Sequence, residues 1–445
     1  MAAEDQSLTG AGPASARIDA LDALRGLAVL GIFVINIIGF SLPEIAFSNP
    51  KAAGGADALN YSLWTLSTVF VEGSMRGLFS LMFGAGVMLF TARALYPDGP
   101  IRIADLYYRR TIWLLLFGII HALALLMPGD ILQIYGMAGL VIFPFRILKS
   151  PTLIAIAAAI LATLTLLTYF DEAPQTERGR EALSLEAKAE AGQTLSPEDL
   201  DAVSAWREEV AGNWPEEDEL KQEITNRTGD IATVYASNAE TVVAYSDIVG
   251  LIWWTADAFM MMLIGMAFYR WRIITGERSA RFYAMLAIGA YAIGLTLRIV
   301  AVMQRWEADF SPILWSWATF DQVARVATTL GHVGLFFLIW KWAASSLPLR
   351  ALTAAGRMAL SNYIGQTVIA NLIFSGIGLG LYGSLDRAHV YLVMIAIWSF
   401  QLAFSLWWLA RFRFGPLEWG WRCLTYWRRQ PFRKAKAGAD KGIAV

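Results

Sequence analysis

Long apolar stretches separated by short polar turns dominate this chain. Ten of them come close to or exceed the roughly 20 residues that cross a hydrocarbon core: 22–42, 70–91, 110–127, 131–147, 151–170, 247–269, 281–303, 319–341, 358–382 and 389–410. The third and fourth are short and are joined by a Pro128-Gly129-Asp130 turn. Backbone facing lipid must be hydrogen-bonded internally, so runs of this length imply helices rather than barrel strands. The pattern predicts an all-α, polytopic transmembrane helical bundle of about ten spans. Four parts follow from it: an N-terminal half over 1–170, a polar insert over 171–243, a C-terminal half over 244–411 and a basic, aromatic tail over 412–445.

Lysine and arginine orient such a bundle, because they collect in cytoplasmic connections. Arg93, Arg102, Arg109 and Arg110 fall in one connection and Arg146 with Lys149 in another. Arg270, Arg272, Arg278 and Arg281 fall in a third, and Lys341, Arg350 and Arg357 flank a fourth. The tail adds Arg411, Arg413, Arg422, Arg428, Arg429, Arg433, Lys434, Lys436 and Lys441. With ten spans all of these lie on one side, which places both termini in the cytoplasm and the Pro128-Gly129-Asp130 turn on the opposite face. The insert is different in kind, with 18 acidic and 6 basic residues. Ser196-Pro197-Glu198-Asp199 reads as a helix start, with a serine cap and proline at the first helical position, and the helix is expected to run to about Gly212. The insert reads as a small helical cap outside the membrane; a solvated insert without function is the alternative.

Composition agrees with this class. The chain is 56% hydrophobic and 16% charged, with mean hydropathy +0.47, whereas soluble domains carry about a quarter charged residues. Its 18 tryptophans suit two membrane interfaces. One cysteine, Cys423, excludes an intramolecular disulfide and a cysteine metal site, and no metal site is expected. The first 17 residues lack the order of a cleaved signal peptide. The basic tail suits anionic lipid better than nucleic acid.

Polar residues within spans are costly and point to function. In RIDALDALRGLAVLGIFVINI, Asp22, Arg25 and Asn36 share one helical face, with Asn36 about 16 Å beyond Arg25. That face could line a path from the cytoplasm; alternatively Arg25 snorkels and pairs with Asp22. In HALALLMPGDILQIYG, His121 lies about six residues before the turn, level with Tyr135 and Met137 on the returning helix. Gln133 and Tyr135 become expected neighbours, with Asp130 above them at the mouth. A histidine oriented by a carboxylate suits proton transfer; packing across a helix pair is the alternative. Glu72 and Arg76 are spaced for a helix-surface pair, Asp257 is offered Arg298 or His332 as a partner, and Arg357 and Asn362 fall on adjacent faces of GRMALSNYIGQ. FRFGPLEWGWRCLTYWRR reads as an interfacial anchor.

Several of these stretches resemble a known family. LDALRGLAVLGIFVINI, LFSLMFGAG, GIIHALALLMPGDILQIYGMAGLVIFPFR, GRMALSNYIGQ and RFRFGPLEWGWRCLTY, spanning about 18 to 426, resemble in order the YeiB-like bacterial inner-membrane proteins, catalogued as domain of unknown function 418. More remotely, the segment from Asp22 to Asn36 is similar to the first helix of the transmembrane acyltransferase superfamily, which includes the acyltransferase-3 proteins and heparan-alpha-glucosaminide N-acetyltransferase. GRMALSNY is similar to a late-helix motif of acyltransferase-3 proteins. Where those proteins carry histidines, this chain has Asn36 and Gln366, so the resemblance leaves His121 as the working histidine. It implies an acyl group taken from cytosolic acyl-CoA, acetyl-CoA being the first choice, and passed to an acceptor on the far side.

Three functions follow as expectations. The first is a transmembrane acyltransferase of the bacterial inner membrane. In it Arg25, with Asp22, Arg357 and Asn362, holds the donor, and His121 is base or acyl carrier, oriented by Asp130. Asn36, Gln133 and Tyr135 donate to developing charge. Its partners are the lipid bilayer, acyl-CoA and an outward glycan, lipid or small-molecule acceptor, and a homodimer is allowed. The second is a small-solute transporter with a proton relay through His121, Asp257 and Glu72, although no inverted repeat is visible. The third is a non-catalytic scaffold. The first two differ on one point: an acyltransferase needs Arg25 and some of Arg109, Arg110 and Arg357 to converge on a cytoplasmic pocket.

Overall fold

The computed structural model describes residues 19–91, 101–211, 214–245, 247–310 and 318–434, excluding the side chains of 101, 102 and 318. Arg93, Gly212, Lys436 and Lys441 lie outside the described residues. Within them the protein is all-α, with no β-strand. Helix α1 is Asp19–Ser41, α2 Ala58–Phe70, α3 Ser74–Thr91, α4 Ile101–Ala124, α5 Ile131–Ile142 and α6 Ser150–Glu190. The insert continues with α7 Pro197–Ala211, α8 Glu217–Thr228 and α9 Ile231–Tyr245. The second half comprises α10 Ile248–Arg270, α11 Ala280–Glu307, α12 Asp321–Ala343, α13 Leu347–Arg357, α14 Ala359–Phe374, α15 Arg387–Arg411 and α16 Pro416–Tyr426.

Seven helical stretches among the described residues are long and apolar enough to cross a membrane: α1, α2 with α3, α6, α10, α11, α12 and α15. The other three expected spans are α4, the short Ile131–Ile147 pair of α5 and a 3₁₀ turn, and α14. Three boundaries differ from the hydropathy pattern. The segment expected at 70–91 is two helices broken at Val71–Gly73. The one expected to end at 382 stops at Phe374, where the chain turns back so that Leu379 N–H donates to Leu372 O. The fifth does not end near 170: α6 continues to Glu190, about 60 Å in all at the usual rise. The insert is therefore continuous with a membrane-crossing helix rather than hinged from it.

Two pairs of glycines set the helix crossings that matter for the site. A Cβ on Gly26 would lie 2.1 Å from Leu352 O, and one on Gly356 1.7 Å from Asp22 O. Only glycine permits α1 and α13 to meet this closely, and the crossing brings their neighbours Arg25 and Arg357 to one end of the bundle. In the α4–α5 hairpin, a Cβ on Gly118 would lie 2.3 Å from Gln133 N, and one on Gly136 2.6 Å from the Leu115 side chain. The insert starts α7 with a reciprocal cap: Asp199 N–H donates to Ser196 Oγ at 3.2 Å and Ser196 N–H to Asp199 Oδ2 at 2.9 Å. It docks on the bundle through Glu223, which accepts from Tyr382 Oη at 2.6 Å and Glu44 N–H at 3.1 Å. Tyr245 Oη donates to Glu44 at 2.7 Å.

Candidate functional site

Asp130 occupies the N-cap position of α5, where an aspartate ordinarily accepts a backbone N–H of the first turn. It makes no such bond. Its carboxylate instead takes a hydrogen bond from Tyr363 Oη at 2.6 Å and lies 3.1 Å from His121 Nδ1. The His121 approach is at ion-pair distance but off the hydrogen-bond angle, and Asp130 Oδ2 is buried with no hydrogen-bond partner among the described residues. The other ring nitrogen, Nε2, is 2.9 Å from Thr367 Oγ1, and the ring meets Tyr363 edge-on at 5.1 Å. Both His121 and Asp130 have fully buried side chains. A hydroxyl, an imidazole and a carboxylate thus stand in line, with one carboxylate oxygen left unsatisfied. Buried polar groups are nearly always paired, so this arrangement is held at a cost.

Two cavities meet at this cluster. The larger, about 360 Å³, lies at the end of the bundle where the arginines collect. Small-molecule pockets run to about 300–1,000 Å³. Arg25, Arg110, Arg357 and Arg422 line it, with Asp22 and Glu418 as its acids. Arg25 pairs with Asp22 at 2.7 Å; Arg110 lies over the Trp421 ring at 4.3 Å and Arg422 over Phe414 at 4.3 Å. Four guanidinium groups facing two carboxylates favour an anion. The smaller cavity, about 230 Å³, opens at the insert end and is lined by Asn36, Arg76, Asp130, Gln133 and Trp254 among others. Ile131 and Tyr135 line both cavities, so their side chains form the wall between them. Tyr363 lines the first and its hydrogen-bond partner Asp130 the second.

Helix α16 is pinned over the larger cavity. Glu418 accepts from Leu360 N–H at 2.7 Å, Ser361 N–H at 3.0 Å and Ser361 Oγ at 2.5 Å. The two N–H groups belong to the first turn of α14, where carboxylates are favoured. Enclosure nonetheless pushes the Glu418 carboxyl above its usual value, against the pull of those hydrogen bonds.

The structure brings together only part of the expected set. Arg25, Asp22 and Arg357 share one cavity, joined by Arg110, whereas Arg109 turns away to Asp105 at 2.9 Å. Asn362 does not line that cavity: its amide donates to Ala355 O and Ser405 Oγ, both at 3.1 Å, and so knits α14 to α15. Asn36 and Gln133 line the smaller cavity. Tyr135 is joined to His121 by no hydrogen bond or ring contact. Its hydroxyl donates to Arg76 O at 3.1 Å and accepts from Ser80 at 3.2 Å, because its ring is clamped against Phe79 and Phe83. The true neighbours, Tyr363 and Thr367, come from α14, some 240 residues along the chain. Their four-residue spacing is the one sequence signal that they share a face.

The secondary candidates also change partners. Glu72 and Arg76 do not pair: the helix break separates them, and Arg76 lies 3.5 Å from Asp257. Asp257 is bound by Arg325. Arg298 instead donates to the carbonyls of Thr68 at 2.7 Å and Glu72 at 2.7 Å, freed by that break. His332 sits between Tyr291 Oη at 2.7 Å, Ser74 Oγ at 3.2 Å and Phe70 O at 2.7 Å. The tail helix is more than an interfacial anchor, since Trp421 and Arg422 form cavity wall.

A helical membrane bundle with two cavities that adjoin at the Asp130–Tyr363 hydrogen bond, beside a buried histidine, defines an integral membrane protein with an internal polar site. Comparison with known proteins gives the family. Residues 268–428 match the family described as "Protein of unknown function (DUF418)". The chain is 30% identical over 410 residues to "Uncharacterized protein YeiB" of Escherichia coli K12, covering 91% of this chain and 95% of that one. It is 30% identical over 434 residues to "Uncharacterized protein YxaH" of Bacillus subtilis 168, covering 94% and 96%. The chain belongs to this YeiB-like DUF418 family. No solved structure matches it.

Proposed function

We propose that this protein is a transmembrane acyltransferase of the bacterial inner membrane. It takes an acyl group from cytosolic acyl-CoA and passes it to an acceptor hydroxyl or amine on the insert side. The reading is carried by one observation: an arginine-lined cavity and a second polar cavity adjoin at the Asp130–Tyr363 hydrogen bond, beside His121. It is supported by the resemblance of the first helix and of GRMALSNY to acyltransferases. By the positive-inside rule the arginine end faces the cytoplasm, where Arg25, Arg110, Arg357 and Arg422 would hold the CoA phosphates.

The acyl thioester would lie across the wall formed by Ile131 and Tyr135. With the His121 proton on Nδ1, 3.1 Å from Asp130, Nε2 would be the free base, and its present neighbour is the Thr367 hydroxyl. An acceptor hydroxyl replacing Thr367 there would lose its proton to Nε2 as its oxygen attacks the thioester carbonyl. The C–S bond then breaks, and the imidazolium returns the proton to the CoA thiolate. Asp130 stabilises the imidazolium; Asn36 and Gln133 act on the acceptor side.

The test is acyl-CoA binding and thioester loss with purified protein in detergent. Wild type should bind the donor and slowly release CoA, His121→Ala should bind without release, and Arg25→Ala should bind poorly. A well-folded wild type with no affinity for acyl-CoA of any chain length ends this reading, and solute flux in proteoliposomes becomes the next measurement.

A further inference from the structure

Beside the smaller cavity lies a charge imbalance that acyl transfer does not use. Arg76, Asp257 and Arg325 form a buried group of two cations and one anion. Asp257 is spent on Arg325, which is 2% exposed and is held also by the Gln322 side-chain carbonyl at 2.9 Å. Arg76 keeps only a long contact, 3.5 Å, to the other Asp257 oxygen. Its guanidinium stacks over the Trp254 ring at 4.2 Å and, at 27% exposed, forms part of the cavity wall. An arginine held over an indole is steadied without being neutralised. A cation kept in a membrane protein without a full partner is costly, and a charge-assisted bond from a ligand would remove that cost.

The remaining charges of the cavity limit what can occupy it. Asp130, Glu44 and Glu223 line it as acids, and Arg227 is the second cation. Glu44 and Glu223 hold the Tyr245 and Tyr382 hydroxyls at the insert wall. A ligand with several separate anionic groups would be repelled there. One with a single anionic group at Arg76 and hydroxyl or amine groups elsewhere would find acceptors on the other walls. At about 230 Å³ the space suits something the size of a headgroup or a short hydroxy acid.

We infer that this cavity is a binding site for a small molecule or headgroup carrying one carboxylate or phosphate, held by Arg76 on Trp254. The inference rests on the acyltransferase reading only in calling that ligand the acceptor. Binding at this end is measured without any acyl-CoA, so its failure is distinct from a failure at the donor cavity.

The experiment is a titration of the full-length protein in phosphatidylcholine nanodiscs, reading the unfolding temperature, which a ligand of the native state raises. The probes are glycerate, glycerol phosphate and uncharged glycerol; parallel nanodiscs contain phosphatidylglycerol. At least one anionic probe should stabilise saturably while glycerol does not. Arg76→Gln should weaken that response about tenfold, the loss of one charge-assisted bond. Arg76→Lys, which keeps the charge, should weaken it less and carries the test should the glutamine variant not fold. Arg207→Gln, on the exposed insert surface, should leave it unchanged. Stabilisation confined to the phosphatidylglycerol discs and lost with Arg76→Gln assigns the anion to a lipid headgroup. The inference is overturned if neither soluble anion nor anionic lipid stabilises, if glycerol does so equally, or if the Arg76 variants respond as wild type.

Discussion

His121 and His332 are both buried histidines within helices, yet they differ in how completely they and their partners are paired. Each ring nitrogen of His332 has a partner supplied by Tyr291, Ser74 or the Phe70 carbonyl. Neither histidine lines a cavity itself. His121 faces a carboxylate with one oxygen unsatisfied, carries a hydroxyl on its other nitrogen, and stands beside two cavities through Asp130 and Tyr363. The contrast teaches that residue type and depth do not mark a site in a membrane bundle. What marks it is an incompletely paired polar group with space on either side.

The largest effects should separate the two histidines outright. His121→Ala is expected to lower acyl-CoA cleavage about 10²–10⁴-fold, the usual worth of a general base, besides the stability lost on truncating a fully buried side chain. His332→Ala should leave cleavage by the folded protein unchanged while losing about 2–4 kcal/mol of stability, because it opens a cavity and strands the Tyr291 hydroxyl. Equal losses of activity and stability for both variants would erase the distinction. Next in size, Asp130→Asn should lower the rate about 10²-fold while leaving donor binding intact, because the imidazolium loses its counter-charge. Tyr363→Phe should cost less, about tenfold for one charge-assisted hydrogen bond; a Tyr363 effect exceeding that of Asp130 would make the tyrosine, not the carboxylate, the principal partner.

Asn362→Ala sharpens the contrast from the structural side. It should reduce stability by about 1–3 kcal/mol with no change in acyl-CoA affinity, because its amide is committed to Ala355 and Ser405. A variant of normal stability that binds donor poorly would restore Asn362 to the binding site. The smallest effect concerns Glu418. Its carboxyl binds a proton more tightly in the folded chain than in the unfolded one, so its contribution is fully present at acid pH. That contribution fades as pH rises from the ordinary carboxylate range through the raised folded value. Glu418→Gln should flatten this dependence in a pH series of unfolding curves; an unchanged slope would mean that another group sets it.

Hydropathy and charge alone determined that this is an all-α membrane protein with an acidic insert, because bilayer thickness and backbone hydrogen bonding act on each segment locally. The same logic picked out Arg25, His121, Asp130 and Arg357, since ionisable residues stand out in apolar helices. Pairing was not legible. Asp257 found Arg325 rather than Arg298, Asn362 found Ser405, and Thr367 found His121, because partners on different helices carry no mutual signal in a single chain. Tyr135 was misplaced for a related reason: hairpin register fixed its height but not its rotation, which aromatic packing against Phe79 and Phe83 decided. The walls of the two cavities come from helices far apart in the chain, drawn together in part by glycine contacts such as Gly26 with Leu352. That is a property of packed surfaces, and only the tertiary structure could decide it.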